Sequence, residues 1–109
     1  MKITYSKLVR DRIPEIIQAD GHRAVTRVLD DESYRTALLE KLAEEAQEAR
    51  EAPAEQLAGE LADVLEVLQA LAEAHGLSWS QIVATATSKR AERGAFENRL
   101  FLEYVEQAE

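Results

Sequence analysis

KLAEEAQEAREAPAEQLAGELADVLEVLQALA, residues 41–72, carries the pattern that decides the fold. On both sides of Pro53 the apolar residues recur three and four apart, the spacing of one helix face, over runs too long for strands. Proline fixes φ and lacks an amide hydrogen, which bars it from a helix interior and suits it to a first turn. Ala52-Pro53 therefore reads as a break, with one helix ending near Arg50 and the next opening at Pro53. Two long helices joined by so short a connection pack antiparallel.

Before the break, Asp30 and Asp31 supply an N-cap, and Tyr34, Leu38, Leu39, Leu42, Ala46 and Ala49 form the apolar stripe. After it, the stripe runs through Leu57, Leu61, Val64, Leu65, Leu68, Leu71 and Ala72 to a stop at Gly76. Ser78 with Gln81 makes a capping box that opens a further helix through Trp79, Ile82, Val83 and Ala86, ending near Gly94. Upstream, Leu8, Val9, Ile13, Ile16 and Ile17 predict a short helix that begins between Asp11 and Pro14 and stops by Gly21. Residues 22–29 read as an extended connector with room for one small strand. The last stretch, AFENRLFLEYVEQAE, has no clean period and is open as strand, helix or docking segment. The expectation is one all-α domain over residues 1–109, an antiparallel bundle of about four helices.

A helical chain of 109 residues buries a modest share of its surface, so pairing with a second copy is expected to complete the bundle. Acidic residues outnumber basic ones by 21 to 13, a net charge of −8 that repels nucleic-acid backbones and anionic lipid. A polyanionic small substrate is repelled too, unless local cations or a metal ion reverse the field. Cysteine is absent, which removes disulfides, thiolate nucleophiles and Cys-type zinc sites. The opening MKITYSKLVR lacks the apolar stretch of a signal peptide, and no apolar run is long enough to span a bilayer. A cytoplasmic protein without nucleic-acid or membrane partners is expected.

The chemistry lies in carboxylates. Residues three apart on a helix are neighbours, about 5–6 Å between Cβ atoms, so Glu45 pairs with Glu48, and Glu60 with Asp63. Acidic residues are common on solvated helix faces, and direction separates the two cases. At about 100° per residue, Glu45 falls inside the arc set by Leu38, Leu42, Ala46 and Ala49, with Glu48 at its edge. Glu60 and Asp63 fall between the leucine stripe and a strip of Val67, Ala70 and Ala74, whereas Glu55, Glu66 and Glu73 face away. Carboxylates gathered at a helix interface repel and lose hydration, and protonation or a cation must compensate. Lys41 is the nearest basic residue. An all-oxygen set suits Mg²⁺, with Mn²⁺ as a substitute, and Mg²⁺ recruits substrate phosphates to complete its shell.

Di-iron carboxylate bundles need Glu-x-x-His motifs, and here alanine stands three residues before both His22 and His75. There is no P-loop, G-x-S-x-G or H-E-x-x-H pattern. Cations that could oppose a substrate's charge are Lys7, Arg10 and Arg12 near one end and Lys89, Arg90, Arg93 and Arg99 near the other.

KLVRDRIPEII at residues 7–17, KLAEEAQEA with ELADVLEVLQAL in the middle, and KRAERGAFENRLFL at 89–102 together resemble the small MazG-like proteins. These belong to the all-α nucleoside triphosphate pyrophosphohydrolase superfamily, many of them labelled phosphoribosyl-ATP pyrophosphohydrolase-like. The resemblance implies a homodimer or higher oligomer, Mg²⁺ dependence, and hydrolysis of a nucleoside triphosphate to a monophosphate and pyrophosphate, possible house-cleaning chemistry. Carried over by motif, it makes Glu45, Glu48, Glu60 and Asp63 metal ligands, and Glu44 and Glu45 the catalytic carboxylates, Glu44 doubling as an alternative ligand. Lys89, Arg93, Lys7 and Arg10 become the phosphate contacts. One departure is that 11 residues separate Glu48 from Glu60, a tight hairpin for the superfamily. Two other readings stay open: phosphoribosyl-ATP pyrophosphohydrolase of histidine biosynthesis, and a non-catalytic helical dimerisation module.

Overall fold

Asp30 opens the longest helix, with extended backbone at φ −72° and a carboxylate that accepts a 2.8 Å hydrogen bond from the Ser33 amide. That bond satisfies one of the amides a helix start leaves unpaired, and Asp31 and Glu32 place negative charge at the positive end of the helix dipole. The helix it begins, α2, spans Asp31–Glu51. In this computed structural model, which describes residues 1–108, α2 is preceded by the short α1, Ile13–Ala19, and followed by α3, Leu57–Ala74, and α4, Trp79–Arg93. The chain is all-α, as the periodicity implies, and among the described residues there is no strand.

One local expectation is corrected, and two stretches left open by the periodicity take their form. Pro53 does not begin α3; it is extended, at ψ 155°, and caps a 3-10 turn over Ala54–Gln56, so that α3 starts at Leu57. The tight connection spends its residues on reversing the chain before the α-helical register resumes. Residues 22–29 form the connector without the optional strand, and residues 95–108 adopt neither helix nor strand. Glu109 lies outside the described residues.

The chain divides into two compact units, Met1–Leu77 and Ser78–Glu109. In the first, α2 packs on α3. Asp31, Tyr34 and Arg35 at the start of α2 share a recess with Glu73 and Ala74 at the end of α3, while Glu45, far along α2, meets Glu60 and Asp63 near the start of α3. The hairpin is therefore antiparallel. Its centre is Leu38 of α2 with Val67 and Ala72 of α3, the three buried hydrophobic residues among those described. The buried and half-buried side of α3 draws on both strips, with Val67, Ala70 and Ala74 from the small-residue strip and Val64, Leu71 and Ala72 from the leucine stripe, whereas Leu57, Leu61, Leu65 and Leu68 stay exposed. Ala46, placed in the buried arc by the helical wheel, is exposed as well.

Gly76, at φ +71°, turns the chain off α3. Its amide donates to Glu73 O at 3.0 Å and that of Leu77 to Ala72 O at 2.8 Å, the paired bonds of a Schellman stop. In the second unit, Ser78 caps α4 reciprocally: Gln81 N donates to Ser78 Oγ at 3.2 Å and Ser78 N to Gln81 Oε1 at 2.7 Å. Arg90 and Arg93 complement the carbonyl end of α4.

The Ser33 amide, first of all, holds the Asp30 carboxyl below its ordinary value of 3.8, with the Ser33 side chain, Arg27 and Arg35 adding to it against a small desolvation. A lowered folded-state value stabilises above the unfolded pKa and is lost as pH falls through the folded one. Asp30→Ala is accordingly expected to lower the melting temperature at neutral pH, with the gap to wild type narrowing below pH 3.8. Thermal melts across an acid pH series measure it.

Candidate functional site

The antiparallel register brings the middle of α2 against the first turns of α3, and this sets the site. One carboxylate oxygen from each of Glu45, Glu60 and Asp63 lies within 4.8 Å of the others. Glu45 is the most enclosed, at 6% exposure, and Glu60 and Asp63 are half-buried. Glu48, one turn along α2, is exposed and stands beside this trio. Hydrogen bonding with the Glu45 carboxyl, then the Glu45 charge, then desolvation and the charges of Glu60 and Glu44 push the Glu48 carboxyl above its ordinary value of 4.5. All four carboxylates drawn from the E-x-x-E and E-x-x-D pairs thus share one neighbourhood, three of them close enough to hold one ion.

The surrounding cations come from two places. Lys41, one turn before Glu45 and only 16% exposed, sets its ammonium 3.3 Å from Glu45 Oε1 and 3.5 Å from Glu44 Oε2. Helical spacing of three and four announces these pairs, although the sequence reading gave Lys41 no role beyond proximity. Lys7 reaches Glu44 Oε1 at 3.4 Å, and Arg10 Nη2 reaches Asp63 Oδ1 at 2.6 Å. Both belong to the segment leading into α1, anchored by the half-buried Leu8 and Val9 between them. Arg12 pairs with Glu15 on its own turn, away from the cluster. The Arg10–Asp63 pair is 56% and 40% exposed, a setting in which an ion pair contributes about 0.2–1 kcal/mol.

Five carboxylates therefore face three cations, and two negative charges remain in excess. Two oxygens at the centre, Glu45 Oε2 and Glu60 Oε2, are buried without a hydrogen-bond partner. A buried carboxylate oxygen left unpaired is costly unless a cation compensates. The donor set is all oxygen and anionic, which fits a hard divalent ion.

Lys89 and Arg93 stand on the last two turns of α4, in the second unit. Near them Arg93, Gly94, Phe96, Asn98 and Arg99 line a recess in which the Arg99 amide donates to Phe96 O at 3.1 Å.

Residues 7–90 match the phosphoribosyl-ATP pyrophosphohydrolase family. The chain belongs to that family. It falls within the MazG-like all-α nucleoside triphosphate pyrophosphohydrolase superfamily, whose pyrophosphohydrolases act on phosphoric anhydride bonds. The match takes in Lys7, Arg10, every carboxylate of the cluster and Lys89, and stops short of Arg93. An uncharacterized protein of Mycolicibacterium smegmatis is 53% identical over 47 residues, 43% of this chain. The chain spans about half, 48%, of the length of that relative. No solved structure matches it.

Glu60 has a buried, unpartnered oxygen and no ion pair among the described residues, so its charge acts mainly against its neighbours. Glu60→Gln is expected to raise the melting temperature in chelator and, where a divalent cation is expected to stabilise the wild type, to remove that gain. For a cation that binds only the folded wild type, the expected gain is about 2.7 kcal/mol at a hundredfold excess over Kd. Scanning calorimetry with EDTA and with MgCl₂ reads both effects.

Proposed function

We propose that this chain is a Mg²⁺-dependent nucleoside triphosphate pyrophosphohydrolase that cleaves between the α and β phosphates, releasing a nucleoside monophosphate and pyrophosphate. The observation that carries the reading is the Glu45, Glu60 and Asp63 cluster, with its two buried unpartnered oxygens, in a chain of this family. Glu45, Glu60 and Asp63 would hold the ion, with Glu48 beside them as a further ligand. Mn²⁺ would substitute. Bound there, the ion supplies Lewis-acid polarisation of phosphoryl oxygens and a more acidic water.

The remaining work falls to the chain. Glu44, outside the trio and steadied between Lys7 and Lys41, is the carboxylate suited to orient the attacking water and accept its proton. Glu45 shares the catalytic role by fixing the ligand set from its buried position. Lys7 and Arg10 would receive substrate phosphates at one side of the carboxylates, and Lys89 and Arg93 of α4 would be further phosphate contacts by motif. Local positive charge of this kind is needed to admit a polyanion to a chain with a net charge of −8.

The exposed stripe of Leu57, Leu61, Leu65 and Leu68 supports a homodimer or larger homo-oligomer, in which this face is covered. The net charge of −8 favours a cytoplasmic activity on a small-molecule substrate over nucleic-acid or anionic-membrane partners, and no helix among the described residues is long and apolar enough to cross a membrane. The family description itself favours a second substrate, phosphoribosyl-ATP, on which the same metal chemistry would act.

A panel of ordinary and damaged nucleoside triphosphates together with phosphoribosyl-ATP, assayed for pyrophosphate with Mg²⁺ and with EDTA, tests the proposal. Turnover is expected with Mg²⁺ alone, and Glu45→Ala or Asp63→Ala should reduce it by more than about a hundredfold at unchanged helix content by circular dichroism. Full activity in either variant would exclude the assigned site, and metal-independent nucleotide binding would favour a non-catalytic dimerisation module.

A further inference from the structure

Two anionic groups compete for Arg10. Its charge suits a substrate phosphate, yet its guanidinium rests 2.6 Å from Asp63 Oδ1, 53 residues away in sequence and a member of the ion-holding trio. The backbone at this point is fixed: the Ile13 amide donates to Arg10 O at 3.0 Å, tying Arg10 to the start of α1, and Val9 beside it is half-buried. The side chain is not, since more than half of it is exposed.

We propose that Arg10 is an exchangeable internal counter-ion for Asp63, which a divalent cation displaces, freeing the guanidinium to receive the substrate's phosphates. The inference rests on the metal reading of the carboxylate cluster and adds to it an order of events. A guanidinium and a divalent ion drawn to one carboxylate repel each other, so Arg10 lowers the affinity of the site for metal alone. Asp63 has no other cation partner among the described residues, so the exchange is complete when Arg10 leaves. Glu44 differs: it is shared by Lys7 and Lys41, and losing one ammonium leaves it the other. Once released, a planar guanidinium with paired donors matches a phosphate better than it matches a carboxylate already bound to metal. Metal thereby prepares the phosphate contact, and nucleotide follows metal.

The two roles of Arg10 predict opposite effects from one substitution. In Mn²⁺ titrations of the full chain followed by electron paramagnetic resonance, Arg10→Gln is expected to bind Mn²⁺ alone roughly two- to fivefold more tightly than wild type, the equivalent of an exposed ion pair. Arg10→Lys, which keeps the charge, should stay near wild type. Arg12→Gln, which removes a cation outside the cluster, should leave Mn²⁺ affinity unchanged. In the presence of saturating Mn²⁺, Arg10→Gln should bind tripolyphosphate more weakly than wild type. Circular dichroism confirms that each variant folds, and Arg10→Lys provides the folded comparison should Arg10→Gln lose helix content. Mn²⁺ affinity in Arg10→Gln equal to or weaker than that of Arg12→Gln would overturn the counter-ion role alone. Absence of saturable Mn²⁺ binding by wild type would overturn the metal reading with it.

Discussion

Repulsion among carboxylates at the α2–α3 contact is the constraint on which the rest of the structure depends. Glu45, Glu60 and Asp63 meet where α3 packs on α2: with Val67 and Ala72 buried and four bulkier leucines left exposed, two helices approach closely enough for acidic side chains to share a few ångströms. Had Leu57, Leu61, Leu65 and Leu68 faced α2, bulk at the contact would have held the helices further apart and left the carboxylates in water. The arrangement costs stability at its centre, where two oxygens lack partners. The Asp30 cap at one end of α2 and the Schellman stop after α3 fix the ends of the hairpin that carries it.

Much of this was legible in the sequence because helical periodicity is a local property. The capping box of Ser78 and Gln81 and the end of α4 at Gly94 follow from residues within one turn of each other, and the antiparallel hairpin from the shortness of the connection between two long helices. Glu45 was placed inside the buried arc by counting angles, and it is buried. The same counting put Ala46 inside and left both flanks of α3 able to pack; which residues of each do so depends on the partner helix, which the wheel does not contain. Pro53 as a first helical residue was reasonable for an isolated helix, but the reversal demanded a 3-10 turn before α3 could start. The connector at 22–29 and the stretch from residue 95 carry no period, and periodicity had nothing to decide there.

Long-range pairing was the part sequence could not supply. Lys7 and Arg10 were legible as cations suited to phosphate, but their attachment to Glu44 and Asp63 spans 37 and 53 residues and depends on where α1 enters the hairpin. Lys41 was the reverse case, since its partners lie one turn away and its importance came only with its burial.

Burial also sorts these cations by what they can do. Lys41 is 16% exposed against a carboxylate that is itself enclosed, and removing one member of such a pair typically costs about 3–5 kcal/mol because the other charge is stranded. That is several times the worth of an exposed pair like Arg10 with Asp63. Lys41 is therefore part of the framework, neutralising Glu45 and Glu44 whatever else is bound. Arg10 sits where water can replace either partner at little cost, and its attachment is reversible on the scale of ordinary ligand binding. On the proposed function, a site that would gather negative charge to hold a cation and then admit an anionic ligand needs both kinds: a fixed charge to let the carboxylates assemble, and a mobile one that the cation can displace before the ligand arrives.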